Sequence, residues 1–256
     1  MGTRNSNLRL RRLIAELTAL AAVGAWVIFN PASYETVFVQ ENASETPATS
    51  DTTIEPLGVA TDGTPDEETS TLAVRVLEKL EIKGRAPKNN YVRTEFYKNW
   101  PTVNGCSLRQ LIIKREFGDS AVLDGCNVVA GSFVEPYTGQ YKKFTEKSQI
   151  SSGVQIDHVV ALSDAWQKGA QNMTSDERYQ LATDPLNLIA VDSSANQQKS
   201  DGDAATWLPS NKAFRCQYVA RQISVKYKYS LWVTQAEHDT MANILNACPE
   251  EKAIGI

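Results

Sequence analysis

Gln155-Ile156-Asp157-His158-Val159-Val160-Ala161-Leu162 sets an acid and an imidazole side by side in an apolar, strand-like run. Both groups are costly to bury without partners, so the run holds either a hydrogen-bonded structural pair or part of a site. A second stretch, Asp184-Pro185-Leu186-Asn187-Leu188-Ile189-Ala190-Val191-Asp192-Ser193-Ser194-Ala195-Asn196-Gln197-Gln198-Lys199-Ser200-Asp201, favours the site. Asn187 interrupts an apolar strand, where its amide must find backbone partners. Nine residues on, Asn196 opens a helix beside Lys199 and Asp201; taken alone it is an ordinary helix cap. The hydropathy pattern predicts short strands over Val154–His158 and Leu186–Val191, a helix through Leu162–Trp166, and the first turns of another over Ser193–Gln198. About 28 residues separate His158 from Asn187, room for helices over Ser163–Gly169 and Ser175–Leu181.

Outward from this centre, Leu72, Val76, Leu77 and Leu80 fit one helix face, ended by Gly84 and Pro87. Cys106 to Phe117 reads as a second helix. Asn127–Val134 and Gln140–Phe144 read as strands around the turn Pro136-Tyr137-Thr138-Gly139. Ala213–Tyr229 and Gln235–Asn246 are amphipathic helices. The expected class is α+β, a mainly helical domain over 71–256 with a small β element near its centre.

The chain has 256 residues and a net charge of −4, unevenly spread. Residues 1–34 are net +3, residues 35–74 are net −9 without a Lys or Arg, and residues 75–256 are net +2. The acidity that would argue against a nucleic-acid partner therefore lies ahead of the folded part. Within 1–34, four arginines precede an apolar run, and positive charge there directs the downstream chain outward. Val23-Gly24-Ala25 offers a signal-peptide cleavage site. Leu13–Phe29, at 17 residues, is just long enough for an uncleaved membrane anchor. Residues 35–70 form an acidic segment rich in Thr, Ser, Pro and Gly that buries too little apolar area to offset its ordering entropy, and read as a disordered linker. The expected location is extracytoplasmic, either secreted or held to the membrane by the N-terminal helix.

Four cysteines, Cys106, Cys126, Cys216 and Cys248, contain no C-x-x-C pair, which argues against a zinc ribbon. Outside a membrane an even number points to two disulfides. Of the three connectivities, Cys106–Cys126 with Cys216–Cys248 closes the shortest loops. Two histidines, His158 and His238, exclude a site built on three imidazoles. His238, in Glu237-His238-Asp239, reads as a solvated helix residue. Neither H-E-x-x-H nor G-x-S-x-G occurs.

The order Asp-His, Asn, Asn-x-x-Lys-Ser-Asp resembles that of the HNH, or ββα-metal, endonucleases. It is especially similar to the HNH module of RNA-guided CRISPR effectors, including the nine-residue step between the asparagines. From about Lys83 to Cys248 the chain resembles exported bacterial HNH proteins related to the C-terminal nuclease module of GmrSD-type restriction endonucleases. The stretches that carry this are Gly84-Arg85-Ala86-Pro87, Asn104-Gly105-Cys106, Pro136-Tyr137-Thr138-Gly139, Ile156 to Leu162, Asp203-Ala204-Ala205-Thr206-Trp207-Leu208-Pro209 and Val225-Lys226-Tyr227-Lys228-Tyr229. Ser107 stands where that family usually has Asp, while Arg109 remains. The resemblance implies a small ββα-metal (HNH) core within the helical domain. It also implies a general-base His158, a central Asn187, and a third site residue, Asn196, on the helix.

Elementary chemistry supports these roles. Cleaving a phosphodiester needs an activated water, charge relief on the phosphoryl oxygens and a stabilised leaving oxygen. A neutral imidazole, His158, can take the water's proton. One hard divalent ion, Mg²⁺ or else Mn²⁺, held by the Asp157 carboxylate and the Asn196 carbonyl oxygen, can supply the rest. The Asp157 charge raises the imidazole pKa and a bound cation lowers it. In a regular strand Asp157 and His158 face opposite ways. The strand is therefore expected to end or bend there, with the Asn187 amide on the His158 backbone fixing the bend. Lys199 is expected to touch the phosphate or pair with a nearby acid. Lys142, Lys143, Arg221, Lys226 and Lys228 are candidate substrate contacts, the last two equally readable as cations at a helix C-terminus.

The expected function is an exported, metal-dependent HNH endonuclease that hydrolyses phosphodiester bonds in DNA, with RNA as a second candidate. Low sequence specificity follows from the lack of an evident base-reading element, and no obligate protein partner is implied. The alternative is a non-catalytic exported module that binds nucleic acid or an envelope component on an HNH scaffold. The set Asp157, His158, Asn187 and Asn196 favours the enzyme, since a binder has no need of a general base.

Overall fold

Among the described residues, 71–255 of the computed structural model, the helices are α1 (Ala73–Leu77), α2 (Leu108–Phe117), α3 (Lys147–Gly153), α4 (Leu162–Gln167), α5 (Ser175–Thr183), α6 (Ser193–Lys199), α7 (Arg215–Lys228) and α8 (Gln235–Leu245). The strands are β1 (Thr102–Val103), β2 (Cys106–Ser107), β3 (Val122–Asp124), β4 (Asn127–Val134), β5 (Tyr141–Phe144), β6 (Val154–His158) and β7 (Leu188–Asp192). The fold is α+β. The N-terminal apolar segment and the acidic linker lie outside the described residues. No helix among those described is long and apolar enough to cross a membrane.

The central element is an antiparallel ribbon, β6 against β7, paired without a break from Val154↔Asp192 to His158↔Leu188. Its two faces go to different cores. Val154, Ile156, Leu188 and Ala190 pack with α2 and β4 in a cluster that includes Ile112, Ile113 and Phe133. Ile189 and Val191, on the other face, join Ala195 of α6 and Tyr218, Val219 and Ile223 of α7. The chain leaves β7 directly into α6, because Asp192 caps the helix by accepting from Ser194 and Ala195 N–H, each at 3.0 Å. Strand, strand and helix thus come in the expected order.

A three-stranded antiparallel sheet, β3-β4-β5, supports the ribbon from one side. Phe117, Phe133 and Phe144 stack between that sheet and α2. Gly131 allows the approach: its φ is 148°, and a Cβ there would lie 2.6 Å from the Phe117 ring. Helices α5 and α8 each start with a reciprocal capping box, Thr174 with Glu177 and Thr234 with Glu237. Two expectations shift. The first helix stops at Leu77, well before Gly84, because the chain turns to pair Ile82 with Val233. Cys106 and Ser107 form β2 rather than the start of α2.

Disulfides join Cys106 to Cys126 and Cys216 to Cys248, across 20 and 32 residues. The second ties the start of α7 to the segment after α8. By the chain-entropy relation each is worth roughly 3–4 kcal/mol. Replacing Cys216 and Cys248 together by Ala should therefore lower the unfolding free energy and the urea midpoint, with a higher m-value because the unfolded chain becomes less compact. An unchanged midpoint would show that the bridge does not constrain the unfolded chain.

Candidate active site

Strand β6 has β7 on one edge only. A cavity of about 820 Å³ runs along its other side, lined by Gln155, Ile156, Asp157 and His158 in succession. Four consecutive residues cannot share one face of a strand, so the cavity follows the edge and is reached from both faces. This edge access brings Asp157 and His158 to one space; the strand ends at His158, as expected, and pairing with β7 stays in register up to that end, with no bend before it. Asn196, from α6, lines the same cavity.

His158 is 3% exposed. Its Nε2 lies 2.9 Å from the carbonyl of Ala182, near the C-terminus of α5. A carbonyl only accepts, so Nε2 carries the hydrogen, and in the neutral ring Nδ1 keeps a lone pair. Trp100 stacks on the ring at 6.1 Å and 9°, and Tyr97 packs at 5.9 Å. Burial, followed by the Arg93 charge, lowers the imidazole pKa to about 3, with Lys199 adding to the effect against the Ala182 hydrogen bond. Burial, which the sequence reading did not weigh, dominates, and the ring is neutral at neutral pH.

Asn187 is fully buried and does not line the cavity. Its Oδ1 accepts from Val160 N–H at 2.8 Å, and its Nδ2 donates to Leu181 O at 3.2 Å and Val160 O at 3.4 Å. Its own carbonyl accepts from Val159 N–H at 2.8 Å. The amide therefore grips the backbone two residues past His158, not His158 itself. Leu181 and Ala182 belong to the last turn of α5, whose carbonyls lack partners within the helix. The long insertion between the strands thus supplies the acceptors that hold both Asn187 and His158.

Asp157 accepts from Tyr137 O–H at 2.5 Å and from Lys199 Nζ at 2.9 and 3.1 Å. Burial and then the Asp157 charge push the Tyr137 pKa well up, so the phenol stays a donor. Lys199 also donates to His158 O at 2.9 Å, which ties α6 to the end of β6. Asn196 donates Nδ2 to Gln155 Oε1 at 2.8 Å, leaving its side-chain Oδ1 without a hydrogen bond among the described residues. One carboxylate and one amide oxygen on a polar cavity are hard donors that suit Mg²⁺ in a shell completed by water and phosphate. No cluster of three or more His, Cys, Asp or Glu among the described residues competes for an ion.

Residues 114–244, which include both ribbon strands and α6, match the C-terminal domain of GmrSD restriction endonucleases. The chain belongs to that family. An uncharacterized secreted protein of Arthroderma benhamiae (strain ATCC MYA-4681 / CBS 112371) is 35% identical over 188 residues, covering 72% of this chain and 88% of the relative. No solved structure matches.

In this GmrSD-type domain most of the cations expected to meet substrate have other partners, and none of Lys142, Lys143, Lys199, Arg221, Lys226 or Lys228 lines the cavity. The side chains of Lys199 and Lys226 are 0% exposed. Lys226 sits between Asp164 at 3.3 Å and Glu237 at 3.0 Å, in the interior rather than on a phosphate track. Arg221 donates to the carbonyls of Pro185, Leu186 and Leu188, holding the turn into β7. Lys142 pairs with Asp192, the cap of α6, and Lys228 with Asp184. Lys143 is exposed on β5 opposite Ser132. His238 is 23% exposed and has a buried Nδ1 without a hydrogen bond, so it is less solvated than expected.

The residues that sequence reasoning missed come mainly from 88–109, which supplies Arg93, Tyr97 and Trp100 to the cavity wall, along with Arg109, noted before only as a retained family position. Between Arg85 and Thr102 regular structure is limited to one short 3₁₀ turn, Arg93–Glu95, so no periodicity announced it. Tyr137 was legible only as part of a turn.

Proposed function

We infer that the protein is an exported, metal-dependent HNH-type endonuclease that hydrolyses phosphodiester bonds in DNA, and secondarily RNA, with little sequence specificity. The observation that carries this reading is the shared cavity on the edge of β6. There a neutral imidazole with its Nε2 anchored to a carbonyl meets an aspartate and an amide oxygen. Asp157 and Asn196 would hold the ion. Bound there, Mg²⁺ would relieve negative charge on the phosphoryl oxygens and on the leaving 3′-oxygen.

The chain's own residues supply the rest. His158 Nδ1 accepts a proton from the attacking water as its oxygen bonds to phosphorus and the P–O3′ bond breaks. Ala182 and Trp100 hold the ring so that the lone pair is fixed in place. Asn187 locks the turn after the strand. Lys199 and Tyr137 aim the Asp157 carboxylate and offset part of its charge. Export is supported by the two disulfides, which persist in oxidising compartments, and by the relative named as secreted.

Asp157→Asn tests the metal assignment better than Ala. Asparagine keeps one acceptor oxygen for Tyr137 and Lys199, whereas Ala removes both; either change takes the counter-charge from the buried Lys199, so thermal melting accompanies the assay. The variant should need about tenfold or more Mg²⁺ for half-maximal cleavage, with partial recovery at high Mg²⁺. An unchanged Mg²⁺ dependence in a folded variant would remove Asp157 from the metal site.

A further inference from the structure

Four cations line the cavity, Lys88, Arg93, Lys98 and Arg109, against two acids, Asp157 and Asp201. Both acids are engaged, Asp157 with Lys199 and Asp201 with Lys88. Arg93, Lys98 and Arg109 make no ion pair among the described residues. Arg109, in the first turn of α2, donates to Val154 O at 3.1 Å. Burial lowers its pKa and no acid offsets that. Arg93 donates to Tyr97 O–H at 2.7 Å and lies 5.4 Å from the Tyr97 ring, which itself packs on His158. Arg109 is half-buried and Arg93 is exposed; a guanidinium without a carboxylate beside it is open to an anion, and its planar fork suits a phosphate.

The two arginines sit at opposite ends of β6, Arg109 at Val154 and Arg93 beside His158. Four strand steps separate these ends, about 13 Å. A nucleic-acid strand carries a phosphate roughly every 3.4 Å of helix rise, so the interval takes a few nucleotides.

Resting on the nuclease reading, we propose that Arg93 and Arg109 form a two-ended phosphate clamp. It lays a polynucleotide backbone along the edge of β6, with Arg93 on the phosphate that faces His158 and Arg109 on one a few nucleotides along the same strand. Fluorescence anisotropy of a short labelled DNA oligonucleotide in excess chelator, across a salt series, reads binding without turnover. Arg93→Gln and Arg109→Gln should each weaken binding about tenfold and flatten the slope of log Kd against log salt by roughly 0.7–0.9. Lys114→Gln, exposed on the same helix as Arg109, should change neither.

Arg109→Lys restores the charge, so its slope should return to the wild-type value. Thermal melting of each variant separates lost contacts from lost fold. Wild-type affinity and slope in both Gln variants would overturn the clamp. If the wild-type protein still cuts plasmid with Mg²⁺ in that case, the nuclease reading stands without it. A wild-type protein that neither binds nor cuts would overturn both.

Discussion

His158→Ala is expected to slow phosphodiester cleavage by about 10²–10⁴-fold, the usual range for a lost general base, while metal and nucleic acid still bind. The ring is 3% exposed and packed between Trp100, Tyr97 and the Ala182 carbonyl, so Ala also opens a void. His158→Gln is the companion variant: its amide N–H can still reach the Ala182 carbonyl, but it has no basic nitrogen. Both should lose activity alike, and high Mg²⁺ should rescue neither, in contrast to Asp157→Asn. Cleavage at the wild-type rate by either variant would make the imidazole structural.

Lys168→Met is expected to cost about 3–5 kcal/mol of stability, the range for breaking a buried ion pair from one side. Lys168 is 0% exposed and lies within 2.6–2.8 Å of Asp164, Asp203 and Glu237. Lys226 and Arg85 complete a network of three cations and three acids. Removing one Lys leaves buried negative charge without an equal counter-charge. Lys228→Met, at a pair in which the Lys is 49% exposed, should cost no more than about 1 kcal/mol. Urea unfolding of the two variants provides the comparison, and a loss below about 1 kcal/mol at Lys168 would contradict the account.

The network also fixes a pH response. Burial pushes the Asp203 pKa up, but the hydrogen bond and charge of Lys168 and the charge of Arg85 outweigh it, holding the carboxyl well below its usual range. Its contribution is therefore complete above the unfolded-state pKa, near 4 for Asp. It fades as pH falls toward the lower folded value. For Lys226, burial lowers the pKa, but Glu237 and Asp164 together raise it. That contribution holds up to the ordinary Lys range, about 10.4, and is lost above it.

The ribbon and its helix were legible because local signals agree there. Val154–His158 reads as a two-faced strand and the predicted element order holds, but the cap of the helix is Asp192, which the sequence reading did not single out, and Asn196 lies inside the helix. The disulfide pairing followed from loop length. Side-chain destinations were less legible. Lys226 sits in a basic run that reads as surface, yet α7 turns it toward Asp164 and Glu237, acids 62 and 11 residues away in the chain. Arg221 offered only its charge, and its carbonyl partners exist only once the turn before β7 has folded. Arg93 and Arg109 reach the cavity from a loop and a first helical turn, positions that periodicity does not mark. The partners of Asn187 were misassigned by two residues, because the backbone it holds lies beyond the strand end.

The most direct measurement is the conversion of supercoiled plasmid, and in parallel of RNA, by purified wild-type protein in Mg²⁺, in excess chelator, and in chelator with Mg²⁺ or Mn²⁺ restored. The account predicts cutting in Mg²⁺, none in chelator, and recovery when the ion returns. Full cutting in excess chelator, or none under any condition with a folded protein, would contradict it.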